Sequence, residues 1–278
     1  MYQFESRVRY SETDSRGRLT PDGMMEYFED CTTFQSEDLG IGVQFLKEHH
    51  CVWVLSFVQI VMKRYPSLGE YIVVQTIPYD IKGFLGYRNF ILRTQEGEEL
   101  ACANTMWTYL DTDTGRPIKA PESMIAAYGL SERYPMDYAS RKIVLPDDLQ
   151  SFEEIIVKPH HLDTNDHVNN VEYVRMAREL MQEAGRAENV QDADIPCGMD
   201  AQEIGAAGDA QNSCGSRSIA AGEPFLCGIR VEYKQSALLG DVIHPAGAWD
   251  AGENRMVVSL NDKNGKPYAV VELKYGKE

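Results

Sequence analysis

The sequence predicts an α+β protein made of two antiparallel sheets, each wrapped around a long central helix. Each half contains one long amphipathic segment at helical spacing, and each follows it with a run of strand-like segments. Turn landmarks also recur in step between the halves, which marks an internal duplication.

In the first half, Pro21 to Leu39 places Met24, Tyr27, Phe28, Cys31, Phe34 and Leu39 at helical spacing. Thr20 before Pro21 is a start signal and Gly40 a stop. Strands are predicted at Val52 to Tyr65, Glu70 to Asp80, Tyr87 to Thr94 and Glu99 to Leu110. They are broken by Pro66-Ser67-Leu68-Gly69, Gly83 to Gly86 and Glu96-Gly97. The second half repeats the order, with a helix from about Asn170 to Ala184 and strands near Phe225 to Ser236, Asp241 to Trp249, Arg255 to Leu260 and Tyr268 to Lys274. Leu68-Gly69-Glu70 answers Leu239-Gly240-Asp241, and Glu96-Gly97-Glu98 answers Asn264-Gly265-Lys266.

Between the halves, Asp111 to Gln150 holds Pro117, Pro121, Pro135 and Pro146 and predicts an extended connection. One domain is therefore expected over residues 1–140 and a second over 141–278. Arg186 to Pro224 is rich in Gly, Ala, Ser, Asp and Gln, has no counterpart of that length in the first half, and predicts a flexible surface insertion. A lid over the active site is its sharper reading.

The 278 residues carry 27 basic and 43 acidic side chains, a net charge of −16. Such a field repels phosphate backbones and speaks against nucleic acid as a partner. No apolar run reaches the roughly 18 residues a membrane span needs. The N-terminal MYQFESRVRYSETD has no basic stretch followed by an apolar one, so a cytoplasmic protein is expected. The cysteines (Cys31, Cys51, Cys102, Cys197, Cys214 and Cys227) are scattered with no CxxC, which predicts small apolar side chains rather than bridges or zinc ligands.

The densest polar cluster, His160 to Leu180, sits where the second helix begins. Asp163, Asn165 and His167 are spaced by two, so in an extended segment their side chains share one face. Asn169 is placed to cap the helix, with Glu172 completing a capping box. The first amides of the helix then become candidates for holding a developing oxyanion. A thioester suits such a site: its leaving thiol has a pKa of about 8.5 and needs little protonation, so water activation and carbonyl polarisation are the main tasks. The plainer reading takes Asp and Asn here as caps and the histidine as a turn residue. His160, His161, Asp163 and His167 also suggest a metal. Adjacent histidines on a strand point opposite ways, however, and no metal or other cofactor is expected.

The stretch Leu162-Asp163-Thr164-Asn165-Asp166-His167-Val168-Asn169-Asn170-Val171-Glu172-Tyr173 resembles the signature of the acyl-ACP thioesterases, tandem hot-dog enzymes of plants and bacteria. Arg9-Tyr10-Ser11-Glu12-Thr13-Asp14, Phe28-Glu29-Asp30-Cys31-Thr32, Trp53-Val54, Arg64-Tyr65-Pro66 and Leu68-Gly69 extend the likeness. So do Gly83-Phe84, Arg88-Asn89, Trp107, Arg116-Pro117-Ile118-Lys119 and Val231-Glu232-Tyr233-Lys234. The resemblance implies a double hot-dog that hydrolyses fatty acyl-ACP thioesters to free fatty acid. In that reading Asn165 and His167 polarise or position the carbonyl, and Asp163 orients the site or assists the water. It implies acyl carrier protein as partner, with a homodimer possible.

One position departs from the family. Members commonly carry Glu or Gln, sometimes followed by Cys, where this chain has Ser236 and Ala237. Water activation would then fall to Asp163 or to another carboxylate such as Glu232, which shares strand parity with Ser236, or Ser236 would hold the water. The first half is expected to supply the acyl pocket from Met24, Met25, Tyr27, Phe28, Phe34 and Trp53, although a helix wrapped by a sheet buries such residues in any case. Docking of a carrier requires local cations, with Arg16, Arg18, Lys63, Arg64, Arg175, Arg178 and Lys234 as candidates. An acyl-CoA thioesterase on the same frame and a non-catalytic acyl-thioester sensor are the competing readings.

Overall fold

In the computed structural model, which describes residues 1–191 and 225–276, both long helices and all the strands named above are formed. The first half runs β1 (Tyr2–Arg7), α1 (Pro21–Asp38), α2 (Val43–Glu48), β2 (Cys51–Met62), β3 (Tyr71–Lys82), β4 (Leu85–Thr94), β5 (Glu99–Asp111) and α3 (Glu122–Tyr128). The second runs β6 (Gln150–Ser151), β7 (Ile155–Ile156), α4 (Asn170–Gln191), β8 (Phe225–Tyr233), β9 (Val242–Asp250), β10 (Arg255–Asn261) and β11 (Pro267–Gly276). Helix α4 extends to Gln191, into the first residues of the expected insertion at 186–224. The rest of that stretch, with Cys197 and Cys214, lies outside the described residues.

The strand order β1-β3-β4-β5-β2-β8-β11-β10-β9-β6, with β7 also on β9, is the same sequence of strands read outward twice from the centre. The two sheets meet edge to edge through the antiparallel β2–β8 pair, from Phe57 opposite Glu232 to Val61 opposite Gly228. Joining them removes one exposed edge from each half.

Helix α1 starts as its sequence dictates, with the Thr20 hydroxyl accepting from the Gly23 amide at 3.1 Å and Pro21 in the first turn. Its buried stripe (Met24, Met25, Tyr27, Phe28, Cys31) and that of α4 (Val171, Tyr173, Val174, Met176, Ala177, Leu180) enter one apolar core. The helices lie against each other antiparallel: Arg178 of α4 meets Asp22, and Asn170 meets Glu29. The repeated turns are equivalent in detail, since Gly69 and Gly240 hold φ of 81° and 83°. Ser67 and Leu238 donate their amides to the Glu70 and Asp241 carboxylates at 2.8 and 2.9 Å.

The connection between halves is not wholly extended. Met124 and Tyr128, one helical turn apart in α3, cover a second cluster with Ile41, Cys51 and Tyr109. The remainder straps across the outer face of the sheet. Gln59 bonds the Asp137 carbonyl and the Ala139 amide at 2.9 and 2.8 Å. Asn89 accepts from the Tyr134 amide and the Tyr138 hydroxyl, both at 3.1 Å. Glu232 lies under this strap with Lys234 at 2.5 Å and Arg141 at 3.7 Å. It therefore faces away from the helices, which removes it as a water-activating group.

Candidate active site at the head of the second helix

The segment before α4 is a tight turn rather than an extended strand. The Asp163 carboxylate accepts from the amides of Asn165 and His167 at 2.7 and 3.2 Å. Its own amide donates to the His167 carbonyl at 2.8 Å. Asp166, at φ 60°, occupies the left-handed region that Asp tolerates, and this breaks the alternation expected from spacing by two. Asp163 thus holds the turn together, and Asn165 and His167 are left exposed to solvent upon it. Val168 anchors the turn to the sheet by donating to the Ala237 carbonyl at 3.0 Å.

Asn169 caps α4 by accepting from the Val171 amide at 2.8 Å, and its carbonyl takes the Glu172 amide at 3.0 Å. Those two helix amides are therefore directed at Asn169 and not at a ligand. The expected reciprocal half of the capping box is missing, because the Glu172 side chain pairs with Arg175. Burial pushes the Glu172 carboxyl up, with Arg175 opposing. The side chains of Asn165 and His167 stand exposed on the turn beside this capped helix head.

Ser236 is exposed just past β8, one residue before the Ala237 amide that donates to the Tyr173 hydroxyl at 2.9 Å. His160 and His161 stack edge-on at 4.2 Å over a separate open depression of about 450 Å³ between β7 and α4. The His161 imidazole is pushed down by burial and by the neighbouring His160, Lys158 and Arg175 charges. Among the described residues no three side chains converge as metal ligands.

An apolar cavity lies on the first-half side of the site, lined by Met25, Phe28, Leu55, Val58, Phe90 and Trp107, with Glu29 and Thr105 as its polar members. At about 20 Å³ it holds roughly one water, so an acyl chain would enter only if these side chains part. The other expected pocket residues lie elsewhere. Met24 is fully buried in the core, and the Tyr27 hydroxyl donates to Glu12 at 2.7 Å. Phe34 is exposed and meets Phe4 edge-on at 5.4 Å, while Trp53 packs on Tyr109 at 4.8 Å in the second cluster.

Glu29 stands in the Phe28-Glu29-Asp30-Cys31-Thr32 stretch of the likeness, but sequence reasoning gives it no role at the site. It is partly buried on α1, and its carboxylate accepts from the Asn170 side-chain amide at 3.3 Å. Desolvation raises its pKa to about 7, opposed by hydrogen bonds from Asn170 and Asn169 and assisted by the Glu26 and Asp163 charges. The available signal was a carboxylate on the apolar stripe, four residues after Met25 and next to Phe28.

Most of the expected docking cations are already engaged. Arg64 pairs with Glu70 and Glu98, Lys63 with Glu99, Arg178 with Asp22, and Arg175 with Asp22, Glu26 and Glu172. Arg16 lies 3.5 Å from Asp14.

A doubled helix-in-sheet fold, its two halves joined edge to edge, defines a tandem hot-dog protein. Residues 1–128 match the family model described as the acyl-ACP thioesterase N-terminal domain. It is 30% identical over 146 residues to the chloroplastic palmitoyl-acyl carrier protein thioesterase of Gossypium hirsutum, covering 50% of this chain and 35% of that protein. The corresponding Arabidopsis thaliana protein is 27% identical over 186 residues, covering 58% and 45%. The chain thus spans less than half the length of these curated relatives. Among solved structures, an acyl-ACP thioesterase from Bacteroides thetaiotaomicron superposes with a TM-score of 0.75 at 20% identity, covering 99% of this chain and 97% of that one. The 12:0-ACP thioesterase from Umbellularia californica gives 0.75 at 15% identity, covering 100% and 97%. At these identities the structures establish the shared double hot-dog fold. Among the described residues no helix is long and apolar enough to cross a membrane.

Proposed function

We propose that the chain hydrolyses fatty acyl thioesters borne by an acyl carrier protein, releasing free fatty acid and the carrier's thiol. The observation that carries this reading is the turn at the head of α4, where Asp163 holds two backbone amides and presents Asn165 and His167 to solvent beside an apolar cavity. Asn165 and His167 bond the thioester carbonyl and stabilise the charge that develops on its oxygen. Asp163 fixes their placement, and exposed Ser236 borders the approach. The carrier as substrate comes from the relatives' names.

In this reading residues 1–140 supply the acyl pocket, with Met25 and Phe28 at its wall, and residues 141–278 carry the chemistry. Met24, Tyr27, Phe34 and Trp53 are not among the residues that line the cavity. One chain supplies both helices, as two copies of a single hot-dog would, so a single chain is the catalytic unit. The free thiols at Cys31, Cys51, Cys102 and Cys227 suit a reducing compartment such as the cytoplasm.

Hydrolysis of a series of acyl-carrier and acyl-CoA thioesters from short to long chains tests the reading. Turnover that prefers the carrier-borne series and is lost in His167→Ala supports it. An equal rate on CoA thioesters reassigns the substrate, and binding without turnover makes the protein a sensor.

A further inference from the structure

We propose that Glu29, reaching across from the first half, is the general base of the site whose turn the second half supplies. This rests on the thioesterase reading above. Its carboxylate is held by the side-chain amide of Asn170, the residue that opens α4 directly after the turn. The Asn170 carbonyl is itself fixed by the Tyr233 hydroxyl at 3.0 Å. On the other side Glu29 borders the apolar cavity, whose roughly 20 Å³ matches the space of about one water.

The other carboxylates nearby have partners of their own, Asp163 through Oδ1 alone. Asp163 holds the turn, Glu172 pairs with Arg175, and Glu232 lies on the far face of the sheet with Lys234 and Arg141. The pseudo-equivalent contact in the other half is closed: Arg178 of α4 donates to both oxygens of Asp22 at 2.8 Å, at the head of α1. One helix head is thus sealed by an ion pair, and the other faces a carboxylate held by a neutral amide.

In the step assigned here, Glu29 takes a proton from water as the water oxygen bonds to the thioester carbon, and the carbonyl π electrons move onto oxygen. The tetrahedral intermediate re-forms its carbonyl and breaks the C–S bond, and the departing thiolate takes a proton back from Glu29. One thioester and one water give one carboxylic acid and one thiol. Its elevated pKa of about 7 lets the carboxylate accept a proton near neutrality. The titratable and charged groups facing it are Glu26 on its own helix, itself paired with Arg175, Asp163 on the turn and Tyr233 on β8.

Glu29→Gln preserves the shape and the acceptor for Asn170, so it tests chemistry rather than folding. With the thioester that the wild type hydrolyses, kcat is expected to fall by about 10²–10⁴-fold while KM changes little. The wild-type acid limb of kcat/KM near pH 7 disappears in this variant and survives in Glu29→Asp at reduced rate. A Glu29→Gln enzyme with wild-type kcat and an unchanged pH profile overturns the assignment and leaves the thioesterase standing. A wild type that hydrolyses no thioester overturns both.

Discussion

The turns at the heads of α1 and α4 have one backbone and two chemistries. Asp14 accepts from the amides of Arg16 and Arg18 at 2.9 and 3.0 Å, as Asp163 does from Asn165 and His167. Gly17, at φ 72°, fills the left-handed position that Asp166 fills in the second half. Leu19 donates to the Pro66 carbonyl at 2.8 Å as Val168 does to Ala237. Duplication therefore supplied the scaffold twice. What separates the halves is the pair of side chains on the turn, two arginines against an amide and an imidazole, and the residue opposing each helix head. A turn of this kind is a holder, and the side chains it displays decide whether it is a site.

The largest effect is expected from exchanging those displayed side chains. Asn165→Arg with His167→Arg should lower kcat by about 10²–10⁴-fold with little change in melting temperature, since the backbone already accepts arginines at these positions in the first half. Steady-state hydrolysis and thermal melts check both parts, and a large loss of stability would break the equivalence.

Glu29 links the comparison to pH. Its carboxyl is raised to about 7 in the fold, above its unfolded value. Its contribution to stability is therefore fully present below the unfolded pKa and lost as pH rises through about 7. Glu29→Gln should then stabilise the protein at pH 8 by on the order of 2 kcal/mol and do almost nothing at pH 4. Denaturant titrations at the two pH values check this, and an equal effect at both would contradict the burial of an ionised group.

Smaller effects should come from the aspartates that organise the turns. Asp14→Ala and Asp163→Ala each remove the acceptor of two amides and should cost about 1–2 kcal/mol, nearly alike because the turns are alike. Only Asp163→Ala should also slow hydrolysis. Smallest is Gly240→Ala at φ 83°, where an added methyl meets nothing within 4 Å, expected to cost about 1 kcal/mol, with Gly69→Ala costing somewhat more because its methyl would lie 3.3 Å from the Arg7 guanidinium.

Much of this architecture was legible because periodicity and turn residues are local signals. Both long helices, the long strands and the Gly69 and Gly240 turns stand where spacing puts them. Helices α2 and α3 were not legible: six or seven residues carry too little periodicity, and α3 forms because Met124 and Tyr128 find a partner cluster. The join between β2 and β8 and the strap over Gln59 and Asn89 are long-range pairings that no local pattern encodes. At the site, the motif marked Asp163, Asn165 and His167, but alternation misread a turn as a strand because the left-handed Asp166 lies between them. The place of Glu29 at the site was not legible, because it depends on a helix that begins far along the chain.

The most direct test measures hydrolysis of acyl carrier protein thioesters by three proteins side by side: the wild type, a variant with Arg16→Asn and Arg18→His, and a variant with Asn165→Arg and His167→Arg. The account predicts full activity in the first two and almost none in the third, with all three folded. Activity that survives in the third protein, or vanishes in the second while it stays folded, would show that the turn at the head of α4 is not the catalytic one.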